Sequence, residues 1–109
     1  MNPFEVRESL ACLRDLEGIE LHLLRTSGDS TGAERRIADM RAATLRLAQF
    51  PRLAPERTDL GAGIRLLTTG EKSIAIYLVQ EEAGIVLMLR AFYGGEDYEV
   101  LLRAEGDTK

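Results

Sequence analysis

The sequence predicts an α+β domain of order β-α-α-β-β-β, a helical hairpin packed on one face of a mainly antiparallel sheet. Three observations carry that expectation. The first half holds two segments with apolar residues at helical spacing, and the second half holds three segments rich in Ile, Val, Leu, Tyr and Phe. Short polar stretches with a glycine separate those three segments, which suits tight turns between antiparallel strands. At 109 residues, 45% hydrophobic and 29% charged, the chain is the size of one domain with one core. A domain of this size removes roughly two-thirds of its unfolded surface from water and folds without metals or disulfides as braces. That domain is expected to span residues 1–102, with the polar residues 103–109 as a disordered tail.

Each element follows from local chemistry. Pro3 to Arg7 reads as a short extended start, and Ser9 stands where a helix N-cap is wanted. Beyond it Cys12, Leu16, Ile19 and Leu23 recur at steps of four, three and four, one stripe of a helix. The polar stretch Thr26 to Thr31 is a turn, with Ser30 or Thr31 available to cap a second helix. Ala33, Ile37, Met40, Thr44 and Leu47 form that helix's stripe, and Pro51 ends it. Two helices joined so briefly run antiparallel and need a cover for their apolar side. The cover comes from Ile64–Thr68, Ser73–Val79 and Ile85–Phe92, read as strands of a meander. Ser73–Val79 is apolar on both faces and is placed at the centre. The sheet face turned away from the hairpin is expected to offer Tyr77, Val79, Leu87 and Leu89 with no cover from the chain itself, and so points to a partner.

Charge and cysteine content narrow the function classes. The net charge is −4 and the sequence pI about 5.0, with the whole excess of acids in residues 58–109. That is a poor basis for gripping nucleic acid through its phosphates. The single cysteine, Cys12, makes neither an internal disulfide nor a Cys-based metal centre, and a reducing cytoplasm is the compartment expected. No apolar run approaches the roughly 20 residues of a membrane span, and the charged start lacks a signal-peptide core. His22, the one histidine, lies off the first helix's apolar stripe and reads as a solvated residue. Cys12 sits on that stripe as a small core residue. Gly61-Ala62-Gly63 precedes a strand, so it presents no helix N-terminus to a phosphate. No metal or cofactor site is expected.

Taken in order over about 90 residues, these fragments resemble the ParE/RelE superfamily of type II toxins, the ParE branch more than the RelE branch. The segment from Ala11 to Ile19 carries Asp15-Leu16 and Ile19 of the first-helix pattern, and Leu47-Ala48-Gln49-Phe50-Pro51 matches the close of the second helix. Gly63-Ile64-Arg65 matches the entry strand and Ile74 to Val79 the Ile-x-Tyr-x-Val strand. Arg90-Ala91-Phe92-Tyr93-Gly94-Gly95-Glu96-Asp97 stands where the family has its closing hairpin. Two positions depart from the pattern: Tyr93 occupies the usual histidine position, and Glu96 reverses the charge of the family's late arginine.

The resemblance implies a cytoplasmic toxin of a toxin-antitoxin module, of the kind associated with plasmid stabilisation. ParE-like relatives inhibit DNA gyrase by binding rather than by bond chemistry, and a cognate antitoxin neutralises them in a hetero-oligomer. Target contacts would then come from Arg65, Arg90, Tyr93, Glu96 and Asp97, and antitoxin contacts from Tyr77, Val79, Leu87 and Leu89. The alternative is a RelE-like ribosome-dependent mRNA endoribonuclease. It would need cations on the scissile phosphate and a proton-transfer group, roles open only to Arg65, Arg90, Tyr93 and Tyr98. A non-toxic relative that still binds an antitoxin is a third reading, which the Tyr93 and Glu96 departures favour. Against catalysis stand the acids around those tyrosines and the ordinary structural roles of the same residues, such as pairing of Arg65 or Arg90 with Asp97.

Overall fold

The computed structural model describes residues 2–94 and 98–107, with side chains as far as Leu102. Strand β1 (Glu5–Glu8) leads into helices α1 (Leu10–Ser27) and α2 (Ser30–Leu45), then strands β2 (Ile64–Gly70), β3 (Ser73–Gln80) and β4 (Ile85–Tyr93), and helix α3 (Tyr98–Asp107). The sheet order is β1-β4-β3-β2, antiparallel except where β1 lies parallel to β4. The expected α+β order is therefore the observed one, with α3 added at its end. Both β3 and β4 are internal strands, and that accounts for the two-sided apolar content of β3.

Ser9 caps α1 as its position demands, its Oγ accepting from the Cys12 N–H at 3.1 Å. The helix outlasts the turn expected at Thr26, because the Thr26 and Ser27 hydroxyls donate back to the His22 and Leu23 carbonyls. It stops at Gly28, whose φ of +69° only glycine adopts at no steric cost and whose N–H donates to the Leu24 carbonyl. Asp29, not Ser30 or Thr31, takes the N-cap position of α2. After Leu45 the chain tightens into a 3-10 turn at Arg46–Ala48 before Pro51.

The hairpin lies on one face of the sheet. Cys12, Leu16 and Ile19 of α1 and Ile37 and Met40 of α2 pack with Leu47 over Leu67, Ala75, Tyr77, Val86, Met88 and Ala91. This sheet face is termed the inner face. The stripes read from the sequence are the buried ones: Ala33, Ile37, Met40, Thr44 and Leu47 all lie inside. β1 is fastened at the edge through the Phe4 N–H on the Ala48 carbonyl and the Ser9 N–H on the Met88 carbonyl. Glu8 forks with Arg41 of α2 at 3.0 and 3.1 Å.

A bulge sets the phase of β4. Ile76 pairs with Arg90 while Tyr77 pairs with Met88, so Leu89 is an extra residue. Because of it, Val86 and Met88 share the inner face with Ala91 and Tyr93, while Leu87, Leu89, Arg90 and Phe92 belong to the outer face. On that outer face α3 leans its Tyr98 ring on Phe92, with centroids 5.9 Å apart. Arg57 ties α3 to the loop before β2, reaching the Tyr98 hydroxyl at 3.4 Å and Asp59 at 2.8 Å. The helix runs into the segment 103–109 that the sequence reads as a disordered tail.

Candidate functional site

Where β1 ends, β4 runs on with no strand beside it on that side among the described residues, which leaves an open edge from Leu89 to Tyr93. Asp15 of α1 closes it. One carboxylate oxygen accepts from the Ala91 N–H at 2.9 Å, and the pair of oxygens takes a fork from Arg90 at 2.6 and 3.0 Å. The Ser9 hydroxyl donates to the Leu89 carbonyl just before it. Both partners of the Asp15–Arg90 pair are largely buried, so this is a charge-assisted link between helix and strand and not a surface ion pair. Asp97, the partner expected for Arg90 from the sequence, lies outside the described residues. The Asp-Leu of the first-helix pattern thereby acquires a physical reason, since Asp15 anchors the strand edge and Leu16 fills the core beneath it.

Strand parity separates the four residues a ribonuclease would need. Arg65 pairs with Tyr77 and Tyr93 with Ser73, which puts both on the inner side. Arg90 pairs with Ile76, and Tyr98 packs on Phe92, which puts both on the outer side. Arg65 donates to the Ala54 carbonyl at 2.6 Å and to Glu56 at 3.3 Å. Tyr93 accepts a hydrogen bond from Arg36 at 3.2 Å, and the same guanidinium stands 5.7 Å from the centre of its ring. Glu96 and Asp97, the remaining target-contact candidates, lie outside the described residues.

The four residues expected on an open sheet face divide in the same way. Tyr77 is fully buried on the inner face, its hydroxyl donating to the Pro51 carbonyl at 2.9 Å and accepting from the Ala54 N–H at 3.2 Å. Val79 packs against the same core. Their expected place on the uncovered face is thus corrected: β3 is apolar on both sides, so alternation along it carries no phase, and the hairpin's position decides which side is inner. Leu87 and Leu89 do stand on the outer face, half-buried. Leu89 borders a cavity of about 280 Å³ with Ile64, Ile76, Leu60 and Leu102.

Two features were not singled out in the sequence. A groove of about 520 Å³ runs between α1 and the end of β4, walled by Arg14 and His22 on one side and Tyr93 and Gly94 on the other. Next to it, α1 carries a second apolar row of Leu10, Leu13, Leu21 and Leu24, all exposed. The signal for that row was present in the spacing 10, 13, 21, 24, but it sits beside the core stripe and merges with it when only apolar content is counted. Cys12 is a core thiol: burial, then the nearby Glu8 and Asp15 charges, push it from its ordinary value near 9 up to about 12, leaving it without nucleophilic character. Among the described residues no group of three His, Cys, Asp or Glu side chains comes together around a possible metal ion, and no helix is long and apolar enough to cross a membrane.

No protein-family model matches the sequence, and no curated protein does. Solved structures do match. A chain of the chromosomal ParDE toxin-antitoxin system from P. aeruginosa superposes with a TM-score of 0.72 at 20% identity, over 84% of this chain and 96% of that one. A chain of the toxin-antitoxin complex RelBE2 from Mycobacterium tuberculosis superposes with a TM-score of 0.58 at 24% identity, over 84% and 98%. The chain has the fold of the ParE/RelE superfamily toxins, with the better superposition on the ParDE structure.

Proposed function

We propose that this chain is the toxin of a type II toxin-antitoxin module, that it inhibits DNA gyrase by binding, and that an antitoxin neutralises it in a hetero-oligomer. The fold shared with chains of the ParDE and RelBE2 systems supports a toxin held by an antitoxin. The observation that favours binding over RNA cleavage is the division of Arg65, Arg90, Tyr93 and Tyr98 between the two faces of the sheet. Catalysis of phosphoryl transfer needs cations and a proton-transfer group converging within about 3 Å of one reacting centre. Residues on opposite faces of a sheet do not converge in that way, and Arg65 and Arg90 each already hold a carboxylate. The excess of acids in the second half of the chain further disfavours an RNA backbone.

Leu87 and Leu89 remain as antitoxin contacts on the outer face, and Arg65, Arg90, Tyr93, Glu96 and Asp97 as candidates for the target surface. The test is a supercoiling and cleavage assay with purified gyrase. The expected result is loss of supercoiling with accumulation of cleaved DNA, reversed by the product of a neighbouring antitoxin gene. Site-specific cleavage of messenger RNA on translating ribosomes, with gyrase unaffected, would overturn the proposal in favour of the endoribonuclease.

A further inference from the structure

We propose that the groove between α1 and the end of β4 is a binding site for a nucleoside monophosphate, whose flat ring lies across Gly18 against Tyr93 and whose phosphate meets Arg14. The groove holds about 520 Å³, within the range of about 300–1,000 Å³ typical of small-molecule sites. One wall is a single stripe of α1. Arg14, Gly18 and His22 follow at steps of four, so the two polar side chains stand on one side of the helix, about 12 Å apart along its axis, with bare backbone between them. The fold itself has no use for that glycine. It lies in the interior of an 18-residue helix, its φ is not positive, and a Cβ added to it meets nothing within 4 Å. Alanine there would strengthen the helix at no steric cost. What the missing side chain leaves is room for a group in the groove to come down on the helix backbone.

The opposite wall supplies the ring contact. Tyr93 and Gly94 line it, and Gly94, at φ +76°, likewise has nothing within 4 Å of an added Cβ. Arg36 donates to the Tyr93 hydroxyl at 3.2 Å, which fixes the ring. The floor is Ile19 and Ala91, both buried and apolar. An aromatic side, an apolar floor and an exposed stretch of backbone form a slot for a planar ring. Arg14 gives the rim its positive charge. Arg14 and His22 are both exposed, and among the described residues neither side chain enters an ion pair or a hydrogen bond. Of the described lining residues only Asp15 is acidic, and both its oxygens are taken up by Arg90 and the Ala91 N–H. The Arg14 fork suits a phosphate, and a His22 ring N–H suits an acceptor on the edge of a base. An extended peptide fits less well. The edge groups that a further strand would need at Leu89 and Ala91 are already occupied, by the Ser9 hydroxyl and by Asp15.

The test is titration of the full-length protein with adenosine and uridine monophosphates, their nucleosides and inorganic phosphate, followed by calorimetry and amide NMR shifts. The monophosphates are expected to bind about tenfold tighter than the nucleosides or phosphate, as one charge-assisted phosphate contact gives. The shifts should centre on Gly18, Ala91 and Gly94. Arg14→Gln should remove the tenfold advantage and leave nucleoside binding as it was, whereas Tyr93→Leu should weaken both. Gly18→Ala separates ligand from fold: thermal unfolding should move to higher temperature while binding falls several-fold, and Gly18→Leu should abolish binding. Arg25→Gln, beyond His22 and outside the lining, should leave binding unchanged. The site does not rest on the toxin reading, and a protein that binds in this way but neither arrests growth nor inhibits gyrase keeps it. Absence of saturable binding, equal binding of all the probes, or a Gly18→Ala protein that is more stable yet binds undiminished would overturn it. Tighter binding of a Glu-rich peptide through Arg14 and His22, the mark of a polypeptide occupant, would overturn it too.

Discussion

The two faces of the sheet differ in what covers them. The inner face has two long helices over it, and Tyr77, Val86 and Met88 are shut off from water almost completely. The outer face has one short helix and the loop before β2. Ile76 and Phe92 beneath them are buried, whereas Leu66, Leu78, Leu87 and Leu89 are only partly so. Both faces are similarly apolar in sequence, so hydrophobicity did not choose between them. The choice was made by chain connectivity: the hairpin leaves β1 at the sheet edge and must return across one side before β2 begins, and only that side receives a continuous cover. A sheet face built of the same residues can thus serve as core or as contact surface, depending on what the chain lays over it.

The inner face should break hardest. Tyr77→Ala is expected to cost about 3–5 kcal/mol, because it empties a fully enclosed site and leaves the Ala54 N–H and the Pro51 carbonyl without a partner. Urea unfolding followed by circular dichroism measures it, and a midpoint unchanged from the native protein would show that the ring is not the keystone of that face. Next comes the link between α1 and the open edge of β4. Asp15→Ala should cost about 2–4 kcal/mol, since it removes the one carboxylate that the Arg90 guanidinium and the Ala91 N–H share. Amide exchange should rise at residues 89–93 before it rises in β3.

The core thiol sharpens the same contrast through pH. Its pKa is higher folded than unfolded, so its contribution is fully present below about 9 and is lost as pH rises toward about 12, the unfolded thiol ionising first. Stability should fall by about 2 kcal/mol by about pH 10.5, and Cys12→Ala should flatten that alkaline limb. Ionisation of Tyr77, also displaced upward by burial, adds to the loss and leaves a residual slope. At neutral pH, Cys12 should react with a thiol reagent only at the rate of unfolding. On the outer face the smallest effect is expected: Leu89→Ala should cost about 1 kcal/mol, in keeping with a half-buried side chain. An Ala-sized loss at Leu89 as large as that at Tyr77 would erase the distinction between core face and contact face.

Much of the site was legible residue by residue, but not its assembly. Ser9 as a cap, the core stripes of both helices and the three strands follow from spacing and local chemistry, and they stand where spacing put them. Asp15 and Arg90 were each visible as parts of a pattern. Their meeting was not, because 75 residues separate them and nothing local joins a helix carboxylate to a strand guanidinium. Helix α3 was missed because the glycine-rich, acidic stretch before it reads as the close of a hairpin and the polar residues 103–109 as a disordered tail. Tyr77 was misplaced because a strand apolar on both sides has no visible phase.

The sequence by itself determined the four strands and the helical hairpin, their order, the antiparallel meander and the residues α1 and α2 press inward, because these depend on period and on capping and turn chemistry within a few residues. Tertiary structure alone decided three things: which face of β3 became the core, the bulge at Leu89 that turned Arg90 outward, and the division of Arg65, Arg90, Tyr93 and Tyr98 across the sheet. The physical reason is the period of two along a strand. A shift of one residue, costing little locally, exchanges the faces, and only packing of the distant helices against one of them fixes the register.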